Sequence, residues 1–155
     1  MPLSPWAVPL NTEQVLIHTE PTPATEELLT RAMFPDPVRI ARALATYRTA
    51  EDRRIFAWKT GGEVVSAAGL HVGHGEAEVL HVGTRPDMEG QGYGRALLHA
   101  VLIRLQLNRM TAETDDDAVD FYRRSGFGVV ETQDRGGRRR YLCTLTPGKA
   151  DQPCC

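Results

Sequence analysis

The chain holds 155 residues, enough for one domain with a buried core and too few for two ordinary ones. Apolar residues make up 41% and charged ones 25%, which excludes a disordered chain. Eighteen Lys and Arg against twenty Asp and Glu leave a formal charge of -2, which excludes a global pull toward nucleic acid or an anionic membrane.

Residues 1–14 carry three prolines and little periodicity and are expected to form a loose arm. Residues 15–147 alternate strands and helices without a linker or repeat, and 148–155 read as a frayed tail. Val15 to His18 is a short apolar strand. Thr22-Pro23 then places a cap before Pro at the first helical position, with Glu26 and Glu27 in the first turn. Asp36-Pro37 repeats the device ahead of a helix to about Thr49, whose Val38, Ala41, Leu44 and Ala45 form one apolar stripe. Arg54 to Thr60 and Glu63 to Val72 are strands joined by the Gly61-Gly62 hairpin turn. Glu76 to Gly83 comes next as a third strand after the Gly73-His74-Gly75 turn.

Gly92 to about Gln106 is the clearest helix, with Leu97, Leu98, Val101, Leu102 and Leu105 at helical spacing and Arg95 and His99 off that stripe. Arg109 to Thr114 is a strand, and Asp116 to Ser125 a helix stopped by Gly126. Phe127 to Thr132 and Arg139 to Thr146 close the chain as a hairpin around Gly136-Gly137. This order predicts one α/β (α+β) domain with a largely antiparallel sheet.

No apolar run approaches the roughly 18 residues of a spanning helix. Met1-Pro2-Leu3-Ser4-Pro5-Trp6 lacks the basic and apolar regions of a secretory signal, so a cytoplasmic location is expected. Three cysteines, an odd number, agree with a reducing compartment, and no C-x-x-C supports a zinc or thioredoxin-type site. Cys143 reads as a buried small hydrophobe, and Cys154-Cys155 as part of the tail. His71-x-x-His74 lies in a strand-and-turn context with no third ligand beside it, so no metal is expected.

The most informative segment is Glu89-Gly90-Gln91-Gly92-Tyr93-Gly94-Arg95, between a strand and the amphipathic helix. Three glycines let the backbone approach a ligand closely, and the helix's unpaired N–H groups face the same spot. That combination is a pyrophosphate cradle. Gly94 is followed by Arg95-Ala96, so the Gly-Lys-Ser/Thr of a nucleoside triphosphatase is missing. A dinucleotide fold would need its third glycine where Arg95 stands, and a shorter loop than Gly83 to Gly90. Glu113 mimics the ribose-binding acid of that fold, but the chain beyond the glycine loop cannot build a doubly wound sheet.

Over residues 63 to 128 the chain resembles the GNAT superfamily of acyl-CoA-dependent N-acetyltransferases. The family's Q/R-x-x-G-x-G/A motif matches Glu89-Gly90-Gln91-Gly92-Tyr93-Gly94, with Glu89 in place of Gln or Arg. Arg85-Pro86 looks like the exit of the family's fourth strand. Ala118-Val119-Asp120-Phe121-Tyr122-Arg123-Arg124-Ser125-Gly126-Phe127 looks like its A-x-x-F-Y-x-x-x-G-F signature. The resemblance implies a mostly antiparallel sheet splayed after the fourth strand and flanked by about four helices. It also implies acetyl-CoA as donor, a primary amine (small molecule or peptide) as acceptor, and direct attack in a ternary complex. A homodimer is common among such proteins. A non-catalytic acyl-CoA-binding module of the same fold is the alternative.

Carried over residue by residue, the resemblance gives the amides of Gln91, Gly92, Tyr93, Gly94 and Arg95 to the pyrophosphate. Val82, Gly83 and Thr84 fall beside the pantetheine arm, and the Val82 amide would donate to the thioester oxygen. Gly83 fits a bulge that opens the sheet. Glu89 is repulsive toward a pyrophosphate unless it points outward. Tyr122 is the expected acid for the CoA thiolate. For the base, strict alternation puts Glu76, Glu78, Leu80 and Val82 on one strand face and gives Glu78 the family's offset. Glu113 and a water chain are its rivals. His81, on the other face, is expected to pack or bond structurally. Asp115, Asp116 and Asp117 are expected to cap the last helix, and Asp115 stands where many relatives have Asn. The sharper role for these acids is attraction of a cationic amine. Arg135, Arg138, Arg139 and Arg140 are a solvated run or a partner for the 3′-phosphate of CoA or a substrate carboxylate.

Overall fold

The structure is a computed structural model that describes residues 14–148. The expected arm and tail, with Cys154 and Cys155, lie outside the described residues apart from Gln14 and Gly148. In chain order the elements are β1 (Gln14–Thr19), α1 (Pro23–Arg31), α2 (Pro37–Thr49), β2 (Arg53–Thr60), β3 (Glu63–Val72) and β4 (Glu76–Thr84). After a 3₁₀ turn at Pro86–Met88 come α3 (Tyr93–Arg104), β5 (Arg109–Thr114), α4 (Val119–Arg124), β6 (Gly128–Arg135) and β7 (Arg138–Leu145).

The local chemistry of the chain sets these boundaries. Thr22 caps α1 in a reciprocal box with Thr25, and the Asp36 carboxylate accepts from the Val38 and Arg39 amides at the start of α2. Gly61 and Gly62, at φ of 59° and 82°, make the two-residue turn between β2 and β3.

Seven strands form one mixed sheet in the order β1-β2-β3-β4-β5-β7-β6. Every neighbouring pair is antiparallel except β4 and β5, which run parallel. The larger core lies on one face, where Leu97, Leu98, Val101 and Leu102 of α3 meet Phe56, Leu70, Val79 and Met110. Fully burying each such side chain stabilises the fold by about 1.5–3 kcal/mol. On the other face α1 and α2 close a smaller core of Leu28, Leu29, Tyr47, Ile55 and Ala67. The expected architecture, a mostly antiparallel sheet flanked by about four helices, is the one observed.

Three expectations need correction. The α2 stripe is wrong: Val38 is 65% exposed, Ala41 and Ala45 are also exposed, and the buried residue is Tyr47. Ile40, Ala43, Leu44 and Tyr47 share the sheet-facing side, and a small-residue pattern could not tell the two faces apart. The last helix is shorter than expected. Asp115 accepts from the Asp117 amide at 3.0 Å, a local turn that competes with helix, and α4 starts only at Val119. Its N-cap is Ala118, which makes no side-chain cap bond, so the three acids form the approach to the helix rather than its cap.

The third correction is in β4. The β3–β4 register pairs Leu70 with Val79 and Gly69 with His81, so the extra residue is Leu80 and not the expected Gly83, which pairs regularly with Ala67. Beyond Leu80 the strict alternation reverses phase, and Val82 shares a face with Val79 rather than with Glu78.

Candidate active site

The site is built where β4 and β5 part. Their pairing covers only Glu76–Val79 against Arg109–Ala112 and stops at the rung beside the bulge. A bulge bends its strand and raises its twist, so β4 swings off β5 from Leu80 onward. The Arg85 amide donates to the Val65 carbonyl at 2.8 Å, which fixes the phase of the β3–β4 ladder. Hydrogen-bonded and non-bonded pairs alternate, so Gly83 and His81 bond back to β3 while the N–H and C=O of Val82 and Thr84 point into the opening. Gly83 faces α1 so closely that a Cβ would sit 2.0 Å from the Leu28 carbonyl oxygen. Only glycine lets that helix lie on the strand here.

Above the opening, the glycine turn delivers the start of α3. Gly90 and Gly92 take left-handed φ of 78° and 85°, and a Cβ on either would meet nothing within 4 Å. Conformation, not crowding, therefore demands glycine at these two positions. Gly92 is the N-cap and offers no side chain to the helix. The first intrahelical bond runs from the Ala96 amide to the Gly92 carbonyl, which leaves the amides of Tyr93, Gly94 and Arg95 without a partner in the helix, or elsewhere among the described residues, at the positive end of the dipole. Gly94 has a different reason: a Cβ there would come to 3.0 Å from the Phe121 ring. Nearby, Thr84 Oγ1 is 3.0 Å from Ser66 Oγ, a polar pair that fixes the end of β4. Glu89 is exposed at the close of the 3₁₀ turn.

These parts wall one open cleft of about 2040 Å³. Val82, Gly83, Thr84, the whole turn from Glu89 to Arg95 and Tyr122 all line it. Tyr122 is 6% exposed, with its ring edge-on to both Phe121 and Phe127. Burial, with a smaller contribution from Cys143, pushes its hydroxyl pKa well above the usual tyrosine value, so the group keeps its proton at neutral pH. Among the described residues no hydrogen bond occupies that hydroxyl. The hydroxyl thus holds a proton at a cleft wall, but the raised pKa makes it a weak acid, and donation to a thiolate runs uphill unless the occupied site lowers that pKa.

The two carboxylates named from sequence fall in different places. Glu113 lines the cleft and accepts from Arg140 Nε at 3.4 Å. Glu78 stands lower on β4, paired between His71 and Thr111 and outside the cleft lining. Asp115 and Asp117 line the cleft, whereas Asp116 accepts from the Tyr141 hydroxyl at 2.6 Å. Arg139 lies 3.9 Å from Asp116, so the arginine run is partly spent on the neighbouring acids. His71 Nε2 is 2.9 Å from Asp52.

His81 bonds structurally, as expected, and also lines the cleft. Its Nδ1 lies 2.7 Å from the Tyr47 hydroxyl, and burial pulls its pKa below the ordinary histidine value. Sequence reasoning does not single out Tyr47. The available signal is the spacing Ile40–Leu44–Tyr47 on α2, and the room for the ring comes from Gly69, where a Cβ would stand 2.0 Å from the Tyr47 hydroxyl oxygen.

Comparison with known proteins agrees with this geometry. The sequence pattern of the acetyltransferase (GNAT) family matches residues 17–127. An uncharacterised N-acetyltransferase from the lysA 3′ region of Bacillus methanolicus is 30% identical over 67 residues, 43% of this chain and 56% of that protein. The chain thus spans about half the length of that relative. A Desulfovibrio desulfuricans structure assigned to the GNAT family superposes with a TM-score of 0.68 at 19% identity, covering 86% of this chain and 99% of that one. The ribosomal-protein-S18-alanine N-acetyltransferase of Escherichia coli gives 0.65 at 20% identity, with 92% and 99% covered. A GNAT acetyltransferase of Elizabethkingia anophelis with acetyl-CoA bound gives 0.63 at 17%, with 88% and 99% covered. Since the matched pattern runs from β1 to the residue after α4's closing glycine, the chain belongs to the acetyltransferase (GNAT) family.

Proposed function

We propose that this protein transfers an acetyl group from acetyl-CoA to a primary amine by direct attack in a ternary complex. One observation carries the reading: the unpaired amides of α3 and the inward-turned backbone of Val82 and Thr84 open on the same cleft as Tyr122. The amides from Gln91 to Arg95 hold the pyrophosphate, and the left-handed glycines keep that approach free of side chains. Val82, Gly83 and Thr84 take the pantetheine arm along the strand edge, with the Val82 amide donating to the thioester oxygen. Glu89 is exposed, so solvent and salt screen its repulsion of the cofactor.

The amine nitrogen attacks the thioester carbon, the C–S bond breaks, and the leaving thiolate takes its proton from Tyr122. The acids Glu113, Asp115 and Asp117 draw the ammonium form into the cleft. For the proton that the amine must lose we favour Glu113, at the cleft wall. Glu78 is not among the residues that line the cleft. Loss of the acidic limb of the pH–rate profile in Glu113→Gln, with the limb kept in Glu78→Gln, is the expected outcome. The reverse pattern returns the role to Glu78.

Isothermal titration with acetyl-CoA tests the donor; no saturable binding overturns the reading. Thiol release across an amine library then separates the enzyme from a non-catalytic acyl-CoA-binding module. Binding without amine-dependent release leaves only the module.

A further inference from the structure

A second, smaller cavity of about 290 Å³ opens beneath α2, and nothing in the acetyl-transfer reading uses it. Arg39 and Arg42 of α2 and Arg53 at the start of β2 stand around it, with Tyr47, Leu80 and His81 among its other walls. Three guanidinium groups at one small cavity repel one another unless an anion compensates them. The protein supplies little compensation. Arg53 is 3.5 Å from Asp52, which also serves His71, and Arg39 stacks on the exposed Phe34 at 5.4 Å. Among the described residues neither Arg39 nor Arg42 has a carboxylate partner.

Position then narrows the ligand. Arg39, Ala43, Leu80 and His81 line both this cavity and the large cleft, so the two share a wall. The cavity lies on the α1–α2 face of the sheet, whereas Val79, Val82 and the start of α3 belong to the opposite face. The glycine turn lines the large cleft and not this cavity, so a pyrophosphate held at the turn does not fill it. On the far side of the cleft stand Glu113, Asp115 and Asp117. Arg124, Arg138 and Arg140 line the cleft beside these acids and Arg140 is bonded to Glu113, so the cation falls to Asp115 and Asp117, whereas no carboxylate stands among the residues around the small cavity. A volume near 290 Å³ is at the lower limit for a ligand pocket and fits a small acidic group rather than a peptide.

We propose that this cavity is the anion subsite of the acceptor site, and that the acceptor is a small amine carrying a carboxylate. The carboxylate accepts from the guanidinium groups of Arg39 and Arg42, while the ammonium lies toward the acids across the cleft. The amine half of the inference rests on the transferase reading; the anion half does not.

The test titrates CoA-saturated protein with α-, β- and γ-amino acids, each paired with its carboxamide. At least one acid binds about tenfold or more tightly than its amide, the scale of a charge-assisted contact. Arg42→Ala removes that preference and weakens the acid by about 10- to 100-fold, with CoA affinity unchanged within about twofold. Arg42→Lys restores part of it, which a folding defect would not do. Equal binding of acid and amide, binding of neither, or a fall in CoA affinity in Arg42→Ala overturns the proposal. Thiol release measured on the same panel separates the two readings. Arg42-dependent binding of acids without release keeps the anion subsite and removes the transferase. Release that is indifferent to the carboxylate keeps the transferase and removes the subsite.

Discussion

At the scale of single residues, the proposed chemistry of the cleft rests on one hydroxyl and on several missing side chains. Tyr122→Phe removes the proposed proton donor and leaves the ring packed between Phe121 and Phe127. The expected result is a kcat about 10²-fold lower with CoA affinity nearly unchanged, read by steady-state kinetics beside isothermal titration. An unchanged kcat takes Tyr122 out of the mechanism. Gly83→Ala works through packing instead. Its Cβ would enter the space of the Leu28 carbonyl, so α1 must lift from β4. The expected loss is about 1–3 kcal/mol or more in urea denaturation, with the unfolding slope unchanged. The two residues differ in how far sequence reveals them. Tyr122 stands in a recognisable signature. The need for glycine at position 83 comes from a helix far away in the chain, and no local pattern encodes such a contact.

At the scale of elements, α2 is docked through a half-buried pair, Tyr47 and His81, that joins it to β4. Burial drives both groups toward their neutral forms: the His81 pKa is lowered and the Tyr47 pKa is raised. For His81 the unfolded chain binds more protons than the folded one below about pH 6.5. Its contribution is therefore complete above that pH and is lost as pH falls toward the lowered folded value. For Tyr47 and Tyr122 the folded chain holds its protons longer above about pH 10, so their contribution is lost as pH rises past that point. The expected profile is a stability plateau between these limits, measured by thermal melting. His81→Asn is expected to be less stable at pH 7.5 and to lose less between pH 7 and 5 than the native chain. A parallel acid slope in both would show that other groups dominate. Element boundaries are largely legible where the chain carries explicit punctuation. The Thr22-Pro23 and Asp36-Pro37 caps and the Gly61-Gly62 turn each act within a few residues. The buried face of α2 is not, because alanines on both sides of the helix blur the apolar stripe and the decisive Tyr47 counts as half polar.

At the scale of the whole molecule, the sheet is regular except at one place, and the site occupies that place. A strand order that leaves β4 and β5 parallel, after β7 has turned back between β5 and β6, agrees with the sequence of elements and the resemblance. The length of the β4–β5 ladder is not legible in the same way, because one residue ends it. Strict alternation along Glu76 to Val82 carries no mark of an extra residue, so the pattern puts Glu78 and Val82 on one face and the bulge separates them. Leu80 also has a consequence for the balance between stability and use. Deleting it would keep His81 and Val82 on the faces they now occupy, since the alternation would simply run on from Val79. What the deletion would remove is the bend, and with it the reason for β4 to leave β5. The shortened chain is expected to extend its parallel ladder, to melt at a higher temperature and to lose measurable affinity for acetyl-CoA. On that view the native chain is less regular than its sequence could have made it, and the forgone regularity is the width of the proposed donor's berth.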